Sequence, residues 1–234
     1  MDPMRLLVVS DIHSNLAALK KVLEDAGDFD ATISAGDVVG YGPDPGECVE
    51  TLIKMESWAV SGNHDVGVIM GESITSHFNV HAAAAVDINR RLLKRTQLKY
   101  LEGLRKRLDV NIEGVKISVF HGSPNRPTWE YVFPSEATLR AAEFFEATGA
   151  DLLILGHTHV PFIHRLNGRA LMNPGSVGQP RDGDPRASYT LVDITEGSFE
   201  FSHRRVEYDI DETAHKMRKL RLPESLADRL YLGR

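Results

Sequence analysis

The chain has 234 residues, 42% of them hydrophobic and 26% charged, a composition that suits a soluble globular protein of one large domain or two small ones. Its net charge of −6, with Lys and Arg scattered along the chain, excludes the basic face that an extended duplex nucleic-acid surface needs. The single cysteine, Cys48, excludes an intrachain disulfide. The first apolar run, LLVV, is too short for a signal-peptide core or a membrane span, so a cytoplasmic protein with no membrane partner is expected.

In chain order, RLLVVS (5–10) reads as a strand that stops at polar residues, and NLAALKKVLEDAG (15–27) has helical spacing at Leu16, Leu19 and Leu23 before a terminal glycine. DATIS (30–34), DPGECVETLIKM (44–55) and SWAVS (57–61) follow as strand, helix and strand. Short connections between alternating elements imply right-handed crossovers and a parallel sheet. Residues 79–107 read as helix, with Thr96 as the expected N-cap of a second segment. VNIEGVKISVF (110–120) is a hairpin turning at Glu113-Gly114, and a helix over 135–148 leads into the strand DLLIL. FIHRLNGRALM (162–172) holds an Asn-Gly hairpin turn, residues 187–206 form a last hairpin, and a helical tail runs over about 211–231. The expected fold class is α/β, a two-sheet β-sandwich flanked by helices. It forms a single domain with its core over about 4–206.

Chemistry-capable residues gather where these strands end. SDIHSN brings Asp11 and His13, SAGDVVGYG brings Asp37, and SGNHDV brings Asn63, His64 and Asp65. HGSP begins with His121, and LILGHTHV delivers His157 and His159. Ligands of α/β sheets bind outside the carboxyl ends of strands. Asp11, His13, Asp37, Asn63, His121, His157 and His159 supply O and N donors and no thiolate, a set suited to Mn, Fe, Co, Ni or Zn. Seven ligands exceed what one such ion takes but suit two ions sharing a carboxylate, and a pair roughly 3.5–4 Å apart clamps the attacking and leaving oxygens of a phosphoryl group.

In this order and spacing, D-x-H, G-D, G-N-H-D, H and G-H-x-H resemble the calcineurin-like metallophosphoesterase family over residues 6 to about 195. The stretches SDIHSNLAALKKVL, GDVVGYGPDP, HGSP and NPGSVGQPRD are similar to its compact bacterial and archaeal phosphodiesterase-like branch. The resemblance implies a first metal on Asp11, His13 and His159, a second on Asn63, His121 and His157, and Asp37 bridging both. It also implies in-line attack by a bridging hydroxide, with His64 giving a proton to the leaving oxygen and Asp65 orienting the His64 ring. Two divalent ions are expected, manganese first and Fe, Zn, Ni or Co as alternatives. Ser14 stands where many relatives have glycine.

The expected activity is hydrolysis of a small phosphate ester, a diester foremost. The alternatives are a phosphomonoesterase, a dinucleoside polyphosphate hydrolase, or a metal-binding scaffold of the same fold without turnover; His64 in its motif argues against the scaffold. Asn15, Tyr41, Arg126 and Arg181 are candidate substrate contacts, and Trp129 and Tyr131 are aromatics that could stack on a base. His77, His81, His164, His203 and His215 lie outside the motifs and read as surface or structural residues.

Overall fold

Alternating apolar residues in the first strand face two different partners, and this sets the layering. The computed structural model describes residues 3–75 and 77–234. Its strands are β1 (Met4–Val9), β2 (Ala31–Ser34), β3 (Trp58–Ala59), β4 (Leu108–Ile112), β5 (Val115–Val119), β6 (Leu152–Ile154), β7 (Phe162–Leu166), β8 (Arg169–Asn173), β9 (Ala187–Thr195) and β10 (Ser198–Val206). Its helices are α1 (Leu16–Ala26), α2 (Pro45–Lys54), α3 (Asn63–Met70), α4 (Glu72–Thr75), α5 (Val80–Leu92), α6 (Arg95–Glu102), α7 (Pro134–Thr148), α8 (Ile210–Lys219) and α9 (Glu224–Leu230).

The strands form two five-stranded mixed sheets, ordered β10-β9-β1-β2-β3 and β4-β5-β6-β8-β7. In the first, β1, β2 and β3 run parallel while β9 and β10 return antiparallel. In the second, β5, β6 and β8 are parallel and each edge strand closes a hairpin. Leu6 and Val8 of β1 point to the second sheet and pack with Ile117, Val119, Ile154 and Met172. Leu7 and Val9 point the other way, against Leu19 and Val22 of α1 and Val49 and Leu52 of α2. Leu153, Leu155 and Leu171 carry α7 on the far side through Ala141, Phe144 and Phe145. The result is a single-domain α/β/β/α sandwich, the expected fold class.

The tail helices α8 and α9 bury Ala214, Met217, Leu226 and Leu230 against Ala82 and Ala85 of α5 and against Tyr41. Among the described residues, no helix is long and apolar enough to cross a membrane. Two local expectations change. Residues 79–107 hold two helical segments, as expected, but α6 is capped by Lys94 rather than Thr96: Gln97 Oε1 accepts from the Lys94 N–H at 2.8 Å. Helix α3 was not expected at all, because NHDVGVIM carries a glycine in its middle and no apolar stripe.

Candidate metal centre

Parallel strands β1, β2, β3, β5 and β6 end on the same side of the sandwich, and the loops that follow them bring the motif residues together. Asp11, His13, Asp37, Asn63, His64, Asp65, His121, His157 and His159 are all buried. Of these, Asp11, His13, Asp37, His157 and His159 have φ between 47° and 69°, as do Ser14 and Tyr41 beside them. Non-glycine residues rarely adopt this left-handed region, and such strain concentrates at functional sites. The strained loops are held by buried amides. Asn89 Oδ1 accepts from Ser14 Oγ at 2.6 Å and from Gly40 N at 2.8 Å, while its Nδ2 donates to Gly42 O at 2.9 Å. Asn173 Nδ2 donates to Gly156 O at 2.6 Å, in front of the GHTH turn.

Backbone carbonyls fix the histidine tautomers. His13 Nδ1 lies 3.1 Å from Val39 O, His121 Nδ1 2.8 Å from Ala35 O, and His159 Nδ1 2.6 Å from Gln179 O. A carbonyl only accepts, so each Nδ1 carries a proton and each ring turns its Nε2 into the cluster. There the Nε2 atoms crowd one another and acceptor oxygens. His13 Nε2 and His159 Nε2 are 3.0 Å apart, and His159 Nε2 is 3.1 Å from Asp11 Oδ1. His121 Nε2 is 3.1 Å from both Asn63 Oδ1 and His157 Nδ1, and 3.3 Å from Asp37 Oδ2. Asp37 Oδ2 also lies 3.6 Å from His13 Nε2, so one carboxylate oxygen reaches both halves. Asp11 Oδ1 and His157 Nε2 are buried without a hydrogen-bond partner. Acceptors packed against acceptors repel unless a cation lies among them, and this donor set fits divalent metal. Asp11, His13 and His159 form one group that could hold an ion; Asp37, His121 and His157, joined by Asn63, form another, and His13, Asp37 and His64 form a third between them.

The charges follow from the same packing. Burial raises the Asp11 carboxyl, but His159 and His13 more than reverse this and hold it well below the usual carboxylate range. Asp37 is likewise lowered by His121 and His64 against burial. Burial pulls His121 down while Asp37 pulls it up more strongly, to about 9. The field that so favours a proton at His121 also favours a metal cation. Burial lowers His157 to about 3, and burial with the Arg181 charge lowers His159 to about 4, leaving both free to ligate as neutral rings.

His64 and Asp65 sit in the first turn of α3. The His64 ring packs against Tyr41, His13 and Phe78, with centroids 4.4, 4.9 and 4.9 Å away. Its Nδ1 has no partner, and burial lowers its pKa well below the ordinary value. The expected role of Asp65 in orienting that ring is corrected: both its oxygens are committed to backbone. Asp65 Oδ2 accepts from Asp37 N and Gly62 N at 2.9 Å each, and Oδ1 from Val39 N at 3.2 Å. Asp65 thereby clamps the Asp37 loop to the start of α3. Gly62, just before α3, approaches so closely that a Cβ there would meet Asp37 Oδ1 at 2.0 Å. Overpacking of this kind costs about 1–3 kcal/mol, so Gly62→Ala is expected to lower the melting temperature by about 3–10 °C and to weaken metal retention, read by thermal unfolding and elemental analysis.

The candidate substrate contacts divide. Tyr41 lies against His13 with ring centroids 4.6 Å apart, and its hydroxyl accepts from Arg181 Nη2 at 3.1 Å, so both residues flank the cluster. Asn15 does not serve there. Its Oδ1 accepts from Ala18 N and Thr213 Oγ1, and its Nδ2 donates to Gly178 O, so the amide is spent on capping α1 and joining two loops. Arg126 is exposed on the turn after His121, where its charge falls on Glu130 and no described contact carries it to the cluster. Tyr131 stacks on His157, with centroids 3.8 Å apart at 18°, and Trp129 meets Phe78 at 5.7 Å, so these two edge the site. The five remaining histidines stay outside it. The sequence reading missed Asn89, Asn173 and Phe78, since a buried helical Asn and a lone Phe carry no motif.

A family model for the calcineurin-like phosphoesterase superfamily domain matches residues 4–197. The uncharacterized protein MJ0912 of Methanocaldococcus jannaschii is 40% identical, over 98% of this chain and 98% of its own length. The phosphodiesterase YfcE of Escherichia coli K12 is 27% identical, covering 81% of this chain and 88% of that one. The crystal structure of a metallophosphoesterase from Sphaerobacter thermophilus superposes with a TM-score of 0.85 at 38% identity, covering 100% of both chains.

Proposed function

The chain belongs to the calcineurin-like phosphoesterase superfamily, hydrolases of phosphate esters, and from that premise we propose that it hydrolyses phosphodiesters with two divalent metal ions. Asp11, His13 and His159 would hold one ion, and Asn63, His121 and His157 the other, with Asp37 shared between them. The observation that carries this is the convergence of Nε2 lone pairs on carboxylate and amide oxygens in two adjoining groups. When bound, such ions neutralise charge on phosphoryl oxygens and make water a nucleophile near neutral pH.

The chain's own residues do the rest. Hydrolysis joins a water oxygen to phosphorus and breaks the P–O bond to the leaving alcohol, whose oxygen then needs a proton. His64 would give it: the ring packs on Tyr41, Phe78 and His13, and its Nδ1 has no hydrogen-bond partner. An incoming phosphate ester brings negative charge that raises the proton affinity of a buried imidazole. Arg181 and Tyr41 border the cluster, where a guanidinium orients phosphoryl oxygens. A bond from His64 N to Asp37 Oδ1 at 2.8 Å ties the acid to the shared carboxylate, so the two keep their register.

The test strips the protein of metal and adds back Mn²⁺, Fe²⁺, Zn²⁺, Ni²⁺ or Co²⁺ singly. A chromogenic phosphodiester is assayed beside the matching monoester. Metal-dependent cleavage with the diester turned over faster is the expected result, with Mn²⁺ the most effective ion. A monoester preference would replace the diesterase reading with a phosphatase.

A further inference from the structure

The loop that follows His121 turns alternate residues to opposite sides before α7 begins. Trp129, Tyr131 and Phe133 face outward and are 37%, 47% and 43% exposed. Val132 between them is buried in the cluster that holds Phe120, Phe144 and Leu153. Glu130 is tied down by Ser123 Oγ and by Arg140 Nη1, the latter at 2.8 Å. The loop is closed tightly on itself: Gly122 N donates to Pro127 O at 2.7 Å and Trp129 N to Arg126 O at 3.3 Å. A Cβ on Gly122 would meet Arg126 O at 2.6 Å and Glu130 N at 2.9 Å, so the backbone has little room to shift.

Two of the outward rings continue into the His/Asp cluster. Tyr131 lies flat on His157, with centroids 3.8 Å apart. Trp129 meets Phe78 at 5.7 Å and 61°, and Phe78 meets His64 at 4.9 Å and 68°. One face of the cluster therefore opens onto a row of aromatic rings carried by the loop that begins with His121. Large rings left in water on a braced loop add little to the stability of the fold, and apolar patches of this kind mark ligand grooves.

We propose that Trp129, with Tyr131 beside it, forms a stacking ledge for a nucleobase, so that the preferred ester is one whose leaving alcohol is a nucleoside. This inference rests on the reading of His64 as the proton donor to the leaving oxygen. The leaving group then departs past His64, and the rings next along that side are Phe78 and Trp129. Phe78 separates Trp129 from His64, and a ribose likewise separates a base from its leaving oxygen. An alkyl group would gain only burial there, whereas a base also gains π stacking on an exposed ring.

Calorimetry on the full-length protein with Mn²⁺ compares AMP with ribose 5-phosphate, which keeps the sugar and the phosphate but lacks the base. AMP is expected to bind about 10-fold tighter, as for one base–aromatic stack. Trp129→Leu brings the two affinities within about 2-fold of each other, and Tyr131→Leu lowers the preference in the same direction. Trp129→Phe, which keeps an aromatic face, retains most of the preference. Tyr231→Leu, at an exposed aromatic on the tail, retains all of it. In turnover of bis(p-nitrophenyl) phosphate, whose leaving group is also a planar ring, the loss in Trp129→Leu falls on KM rather than kcat. Absence of AMP binding, equal affinity of the wild type for the two ligands, or a preference that both leucine variants keep overturns the ledge, even if diesters are hydrolysed. If no ester is cleaved while the Trp129-dependent preference persists, the ledge stands and the reading of the reaction falls.

Discussion

His64→Ala is expected to lower phosphodiester turnover by about 10²- to 10⁴-fold with the metal content unchanged, the span usual for loss of a general acid. The reason lies in how little else the ring does. Its Nδ1 has no partner, and the hydrogen bond that links this residue to Asp37 comes from the backbone N–H, which alanine keeps. The ring packs against Tyr41, Phe78, His13 and the Gly40 backbone, so its removal opens a small gap without leaving a buried charge unpaired. Two measurements separate proton transfer from simple support of the site. Elemental analysis should find the same metal per chain in variant and wild type. The rate loss should be larger for an alkyl ester than for a p-nitrophenyl ester, because nitrophenolate departs without a proton. Equal losses for both leaving groups would make His64 a positioning residue, and a wild type with no turnover would return the chain to the scaffold alternative.

How far the site could be read from sequence depended on where a residue's function resides. Asp11, Asp37, Asn63, His121 and His157 follow strand ends, and a strand has a sequence signature: an apolar run that stops at a polar residue. Once β1, β2, β3, β5 and β6 were recognised as strands, their convergence followed from the rule for parallel sheets. Asp65 was different. Its place beside His64 suggested a partner for the ring, yet two N–H groups of a loop 26 to 28 residues away, with that of Gly62 three residues before it, compete for the same carboxylate and win. Sequence adjacency carries no information on that competition. Asn15 misled for a similar reason, since an N-cap next to a metal loop looks the same in sequence as a phosphate contact. Helix α3 was hidden by function: its first turn is spent on Asn63, His64 and Asp65 rather than on an apolar face.

Asp37→Asn is expected to remove the metal-dependent rise in melting temperature and to reduce turnover by at least about 10³-fold, while the metal-free fold persists. One oxygen of this carboxylate accepts from the His64 N–H at 2.8 Å, and an amide oxygen can keep that bond. The other faces His121 Nε2 at 3.3 Å and His13 Nε2 at 3.6 Å, where asparagine would present an NH₂ group. That group donates to the lone pairs which the metals would otherwise use, so the substitution satisfies the apo cluster while it removes the shared negative charge. At a pH above about 9, where His121 is neutral, apo stability should therefore stay near that of the wild type, even though a buried acid has been lost. Ligand binding stabilises a fold by RT ln(1 + [L]/Kd), so a collapse in metal affinity appears directly as a lost shift in melting temperature at fixed Mn²⁺. Thermal unfolding with chelator and with Mn²⁺, run on both proteins, reads each part of the argument separately. A variant that melts far below the wild type in chelator would mean that Asp37 serves the fold itself. A variant that keeps the Mn²⁺ shift and most of its turnover would mean that no ion depends on this carboxylate, and the two-metal reading would fall with it.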